Sequence, residues 1–169
     1  MKFVIIGRSG QGVSTFARVL AKAGATSGFN TQSYSEISGG IVRGYVRFSK
    51  GQILERGSLV DPEYYVVFDD DVFSFKETLD GKIVVVNTTE KPSDSWIKKK
   101  KLKVYWVDAT GIGQTMIKQP YPNSALLGAL LKSFNKVSMK NIKFAIENDI
   151  RVRVKENQMC VDEGYKNVK

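Results

Sequence analysis

The chain has 169 residues, 42% of them apolar, enough for one domain with a real core and too few for two comfortable ones. It contains no histidine and a single cysteine, Cys160, which excludes imidazole bases, Ser-His and Cys-His nucleophiles, a structural zinc, an iron–sulfur cluster and an internal disulfide framework. The formal charge of +9 is accounted for by a lysine-rich surface, an acidic partner subunit or an anionic ligand. Nothing supports a nucleic-acid partner: no helix-turn-helix signal, aromatic-and-basic sheet signature or zinc module is present. Apolar runs are strand-sized, so no membrane span is expected. The first strand begins directly after Met1-Lys2, so no signal peptide is expected and the cytoplasm is the expected compartment.

Phe3–Ile6 reads as a buried strand and runs into Gly7-Arg-Ser9-Gly10-Gln11-Gly12. An amphipathic helix follows, with Val13, Phe16, Ala17, Leu20, Ala23 and Gly24 on one face and Thr15, Arg18, Lys22 and Thr26 opposite. Strand, glycine turn and helix open a dinucleotide-type α/β fold, whose backbone amides at the helix N-terminus form an anion site. A P-loop requires lysine where Val13 stands, which argues against an ATPase or GTPase. A Gly-x-Gly-x-x-Gly fingerprint has Ser9 out of place, and Glu36 is the only candidate for the acidic residue that reads a ribose. The readings left are a tight turn without nucleotide and an NAD or FAD site.

Gly28 fits a helix C-terminus, Asn30–Tyr34 a polar second strand, and Ser35–Gly40 a loop. Ile41–Phe48 alternates: Val42, Gly44, Val46 and Phe48 point one way, and Ile41, Arg43, Tyr45 and Arg47 the other, wet way. A Lys50-Gly51 turn with Gln52–Leu54 suggests a hairpin. Arg43 and Arg47 are either solvated arginines on an edge strand or contacts to a phosphate or partner. Tyr64–Phe68 is the next buried strand, and Asp69-Asp70-Asp71 after it reads as a helix start rather than a cation site. Lys82–Asn87 and Lys103–Asp108 complete the strands, on either side of a polar crossover at Glu90–Lys101.

The remainder reads as helix. Asp108–Gly113 is a strand end and helix entry, and Pro120–Asn123 a stop and N-cap before a helix, Ala125–Phe134, buried nearly all round. Ser138 caps a helix with Met139, Ile142, Ala145 and Ile146 on one face. The tail sets Val154, Asn157, Val161, Gly164, Tyr165 and Val168 at helical spacing, with Cys160 beside that stripe as a packing residue. The expected fold class is α/β: a Rossmann-like, mostly parallel sheet flanked by helices, with a β-hairpin excursion and a helical C-terminal part, in a single domain over 1–169.

Taken together, these segments resemble the gamma subunit or gamma domain of the 2-oxoacid:ferredoxin oxidoreductases, the pyruvate and ketoisovalerate group. That family opens with Gly-x-Gly-Gly-Gln-Gly-Val, here Gly7 to Val13. Its Ser-Tyr-Gly-x-Glu-x-Arg-Gly-Gly segment corresponds, one residue shorter, to Ser33 to Gly40, with its strand ending Val46-Arg47-Phe48-Ser49. Asp108-Ala109-Thr110, Asn123 with Leu127-Gly128-Ala129-Leu130, and Gly164-Tyr165 follow in the family's order. Ser9, Ser35 and Ser38 depart from it, replacing two glycines and an arginine.

The resemblance implies an accessory chain of an enzyme that oxidatively decarboxylates a 2-oxoacid with coenzyme A and reduces ferredoxin. Thiamine diphosphate and [4Fe–4S] clusters would lie on alpha-, beta- and delta-type partners. This chain carries no Gly-Asp-Gly thiamine signature, and it would hold no catalytic residue, metal or cofactor of its own. The anion-binding candidates Gly7, Ser9, Gly10, Gln11, Gly12, Ser38, Gly39, Gly40, Arg43 and Arg47 would contact coenzyme A. The alternative is a free-standing nucleotide- or CoA-binding module without redox activity.

Overall fold

The protein is described here from a computed structural model, which describes residues 1–57, 59–69, 82–93, 98 and 101–169. Strand β1 (Lys2–Arg8) leads into helix α1 (Val13–Thr26). Strands β2 (Asn30–Ser38), β3 (Ile41–Ser49), β4 (Tyr64–Val67), β5 (Ile83–Asn87) and β6 (Lys103–Val107) follow. Helices α2 (Ala109–Met116), α3 (Asn123–Ser133), α4 (Met139–Asp149) and α5 (Val154–Asn167) close the chain. The described strands form one sheet in the order β2-β3-β1-β4-β5-β6. β1, β4, β5 and β6 run parallel, whereas β3 is antiparallel to both β1 and β2. The mostly parallel α/β architecture with a hairpin is therefore as expected.

The hairpin lies elsewhere than the sequence predicts. Its turn is Gly39-Gly40, at φ +57° and +77°, a two-residue connection with both central residues left-handed, the geometry that matches strand twist. Ser35–Ser38 therefore belongs to β2 instead of a loop, and Gln52–Leu54 forms no strand. Nor is β3 an edge: it is hydrogen-bonded on both sides. Its second face is not wet either, because Tyr45 stacks on Tyr34 at 4.7 Å and Arg47 is buried against it.

Helix α1 covers one sheet face through Val13, Phe16, Ala17 and Leu20, packed over Phe3, Ile5, Val46 and Val66. It ends in a Schellman motif: Phe29 N–H donates to Gly24 O and Gly28 N–H to Ala25 O, with Gly28 at φ +84°. The same core takes in α3, whose residues from Asn123 to Leu131 are all buried, and the predicted face of α4. Ser138 caps α4 as expected, accepting from Asn141 N–H at 3.1 Å. A second cluster on the other sheet face joins Val4, Ile6, Tyr65, Val67, Val84 and Val86. Apolar residues on both faces of β1, β4 and β5 are what a covered parallel sheet requires.

Two details of the helical part differ from the sequence reading. Pro122, not Asn123, sits at the N-cap of α3, and no side chain caps that helix. Tyr165 is 39% exposed, with Lys132 Nζ 4.4 Å above its ring, instead of lying in the buried stripe of α5. Cys160 is fully buried in the core, and burial pushes its thiol up to about 11, with Glu156 adding to the shift. The native state thus keeps a proton that the unfolded chain releases above the ordinary thiol value of 9.0. Stability is expected to fall between those two values, since the unfolded state binds fewer protons there. Urea denaturation at pH 8, 9 and 10 checks the direction, and a thiol reagent at pH 8 should label Cys160 only after unfolding.

Candidate functional site at the carboxyl edge of the sheet

The parallel strands all end on one edge, and the glycine loop lies there, between β1, whose next strand is on the β2–β3 side of the sheet, and β4, whose next strand is on the β5–β6 side. In open α/β sheets such a switch point is where ligands bind. Gly7 must lack a side chain: a Cβ there would come within 2.8 Å of Gln11 Oε1, Phe68 Cβ and Val13 Cγ2. Gln11 folds back to fix the loop, its Oε1 accepting from Arg8 N–H at 2.7 Å. Gly10 and Gly12 hold φ of +89° and +93°. Ser9 N–H donates to Gly40 O at 3.0 Å, tying the loop to the hairpin turn. Across the switch point, Arg8 Nε pairs with Asp69 Oδ2 at 2.9 Å. Asp70 and Asp71 lie outside the described residues.

Two helix N-termini at this edge differ in kind. That of α2 is occupied: Asp108 Oδ1 accepts from Gly111 N–H at 2.7 Å, and Asn87 Oδ1 accepts from Ala109 N–H at 2.8 Å and Thr110 N–H at 3.1 Å. Asn87 Nδ2 adds bonds to Phe68 O at 2.9 Å and Thr110 Oγ1 at 2.8 Å. From sequence Asn87 reads only as the end of a strand, and a lone amide closing a Val-Val-Val run is the available signal of its role. At α1 the N-cap is Gly12, without a side chain to offer, and the first turn holds no acid. That leaves the positive end of the α1 dipole for an external anion.

Gly12 is pressed against Asn123, whose Nδ2 stands 3.0 Å from where a Cβ would be. Asn123 is 9% exposed, and its Oδ1 is buried without a hydrogen-bond partner among the described residues. An acceptor left so costs on the order of 1–3 kcal/mol. Asn123 was read from sequence only as a helix cap; nothing local reveals that it meets Gly12.

Of the predicted residues, the structure brings together Gly7, Ser9, Gly10, Gln11, Gly12, Ser38, Gly39 and Gly40. Arg43 lies two residues beyond Ile41, the first residue of β3, and is paired across the ladder with Glu36 on one side and Ile6 on the other. Arg47 lies four residues further, opposite Lys2, roughly 13 Å along the strand. The two arginines share a sheet face but not a site. Glu36 is two strands from β1, and its carboxylate accepts from the Tyr45 hydroxyl. Desolvation, with Glu36 next in effect, holds the Tyr45 phenol above its ordinary range. The strand beside β1 that would present a ribose-reading acid is the antiparallel β3, so the dinucleotide reading loses its acid. A larger cavity of about 470 Å³ sits beside α2 and includes Asp108, Glu163 and Lys169 in its walls. Two carboxylates against one lysine make it a poor polyanion site.

The sequence profile of the pyruvate ferredoxin/flavodoxin oxidoreductase family matches residues 2–167. The chain belongs to that family. It is 32% identical to the pyruvate/ketoisovalerate oxidoreductases common subunit gamma of Thermococcus kodakarensis, over 94% of this chain and 92% of that protein. The crystal structure of pyruvate oxidoreductase subunit PORC from Thermotoga maritima superposes with a TM-score of 0.83 at 26% identity, covering 100% of this chain and 97% of that one. A 2-oxoglutarate:ferredoxin oxidoreductase from Magnetococcus marinus, solved with 2-oxoglutarate, coenzyme A and succinyl-CoA, shares the fold: TM-score 0.81 and 18% identity, over 98% of this chain and 30% of that polypeptide.

Proposed function

We propose that this chain is the accessory gamma subunit of a multi-subunit 2-oxoacid:ferredoxin oxidoreductase, active only with its partners. The observation that carries the reading is the family match over nearly the whole chain, alongside a gamma subunit of similar length. The residue inventory supports it. A [4Fe–4S] cluster takes four thiolates and the chain has one cysteine, so clusters and thiamine diphosphate belong to alpha-, beta- and delta-type partners, through which ferredoxin is reached. The substrate class is a 2-oxoacid: pyruvate, 2-oxoglutarate, or a branched-chain or aryl homologue. The complex releases carbon dioxide, transfers the acyl group to the sulfur of coenzyme A and passes two electrons to ferredoxin. No helix among the described residues is long and apolar enough to cross a membrane; the proposed compartment is the cytoplasm.

Within that complex the chain's own contribution is to hold coenzyme A, whose phosphates are polyanionic. The amides of Gly10 and Gly12, the Ser38–Gly40 turn and Arg43 supply the matching donors, the Gln11 amide being bonded to Arg8 O. Ser38, where the family has arginine, removes one cation from the set and leaves Arg43 the principal side-chain charge. In the assembled complex, Arg43→Ala should raise the KM for coenzyme A roughly tenfold with kcat unchanged, the worth of one charge-assisted contact. Loss of assembly with an unchanged KM would instead make Arg43 an interface residue. Co-purification from the native host tests the subunit assignment itself; a chain that binds coenzyme A but recovers no thiamine- or cluster-bearing partner would be a free-standing binding module.

A further inference from the structure

The sheet has two edge strands, and among the described residues the chain covers only one of them. On β6, Trp106 exchanges both backbone bonds with Lys169, at 3.1 and 3.0 Å. The other edge, β2, runs for nine residues in unbroken register with β3, without a bulge. It contains no proline, lysine or arginine, and Glu36 is its one charge. Long edge strands are ordinarily protected by one of those devices or by a covering segment. The hairpin fixes which backbone groups lie bare. A two-residue turn makes Ser38 and Ile41 a hydrogen-bonded pair, so Asn30, Gln32, Tyr34, Glu36 and Ser38 bond to β3. Phe48 agrees: its N–H and carbonyl go to Met1 on the β1 side, and its ladder partner on β2 is Thr31. The N–H and C=O groups of Thr31, Ser33, Ser35 and Ile37 therefore point out of the sheet. None of them is bonded among the described residues.

We propose that β2 is the docking edge for a second copy of this chain, added antiparallel about a two-fold axis at Tyr34 so that one sheet runs through both copies. The strand is centred on Tyr34, and this register opposes all nine of its residues. Ser33 faces Ser35 of the second copy, Thr31 faces Ile37, and every outward N–H and C=O of both copies is paired. The side chains favour the same register. Gln32 Oε1 accepts from Arg47 Nη1 at 2.9 Å, which leaves its Nε2 as a donor. Glu36 Oε1 accepts from the Tyr45 hydroxyl, which leaves Oε2 as an acceptor. The two residues share a face, one on each side of Tyr34, so amide meets carboxylate twice across the axis. Moving the axis to Glu36 would instead set two carboxylates against each other. Ile37, 68% exposed, is covered by Thr31 of the second copy. The strand thus carries its own complement, which a self-pairing edge requires. This inference goes beyond the subunit assignment and does not depend on the coenzyme A reading.

The test is sedimentation equilibrium of the full chain over roughly 1 to 200 µM, where the mass is expected to climb from one copy to two. Ser33→Pro and Ser35→Pro each remove an outward donor and leave the β3 ladder intact. Each should weaken the association at least tenfold, because the two-fold axis repeats the loss in both copies. Ile37→Lys should weaken it severalfold, which keeps the proposal testable if the proline variants fold poorly. The register has its own readout. Tyr34 pairs with itself in a non-hydrogen-bonded pair, where opposed Cβ atoms stand about 4.5–5.5 Å apart. Tyr34→Cys should therefore cross-link the two copies by a disulfide under mild oxidation. Cys160, fully buried, gives no background. A chain that stays monomeric at the highest concentration overturns the proposal. So does a dimer that neither the proline variants nor Ile37→Lys weaken, or one in which Tyr34→Cys forms no cross-link.

Discussion

Replacing Gly164 by alanine is expected to lower the stability of the protein by more than about 3 kcal/mol, the severe end of overpacking. For a domain of this size that is a fall in Tm of roughly 10 °C. Helices α3 and α5 cross backbone to backbone. A Cβ at Gly164 would lie far inside van der Waals contact with Ala125 O, and one at Gly128 would do the same to Val161 O. The obstacle in each case is main chain of the facing helix, so no side chain can swing aside to relieve the clash. Gly128→Ala should therefore cost a similar amount. The double replacement should cost less than the sum, because one outward shift of α5 relieves both clashes. Urea denaturation of the two single variants and the double measures all three; a loss below about 1 kcal/mol for either single variant would mean the crossing is looser than the structure shows. The consequence reaches the site, since α3 carries Asn123 at its first turn, against Gly12.

The second large effect is expected at Arg47, and it is structural. Its side chain is 4% exposed: Nη1 donates to Gln32 Oε1 at 2.9 Å and Nη2 to Gly57 O at 2.8 Å. Glu55 Oε2 lies 3.7 Å from Nε, and the guanidinium stands 5.9 Å from the centre of the Tyr34 ring. Arg47→Ala leaves Gln32, the Gly57 carbonyl and Glu55 short of a cation and opens a hole under the ring, for a loss of about 3 kcal/mol. Lysine should recover little, because a single ammonium cannot reproduce the fork that spans Gln32 and Gly57. Arg43→Ala, on the same face but nearer the loop, should change stability by less than about 1 kcal/mol. Chemical denaturation of the two variants separates the roles. The arginines are therefore best replaced singly: Arg43 reports on ligand binding and Arg47 on folding.

Periodicity made most of the elements readable. The i, i+3, i+4, i+7 pattern of α1 and the apolar runs of β1, β4 and β5 are local signals of burial, and the matching elements are where the sequence placed them. The glycine loop was readable for the same reason, because a sharp strand-to-helix turn demands residues that tolerate positive φ. The hairpin was misplaced by a competing turn signal. Lys50-Gly51 resembles a hairpin turn, but Gly39-Gly40 closes the strands, since a two-residue left-handed turn leaves β2 and β3 in register over nine pairs.

From composition and local order, the sequence by itself determined an α/β chain with a glycine-rich strand-to-helix turn, no histidine, one cysteine and the motif order of its family. Only the tertiary structure decided that β3 separates β2 from β1, which places Glu36 out of reach of the loop. It likewise decided that Arg43 and Arg47, indistinguishable by alternation, lie at opposite ends of a strand, one near the turn and one locked under a loop. Asn123 meets Gly12 only because α3 packs against α5 and α1 together. The physical reason is common to all three. Periodicity records which face of an element is buried, whereas strand order, register and helix crossing come from contacts between residues far apart in sequence, where no local pattern reports them.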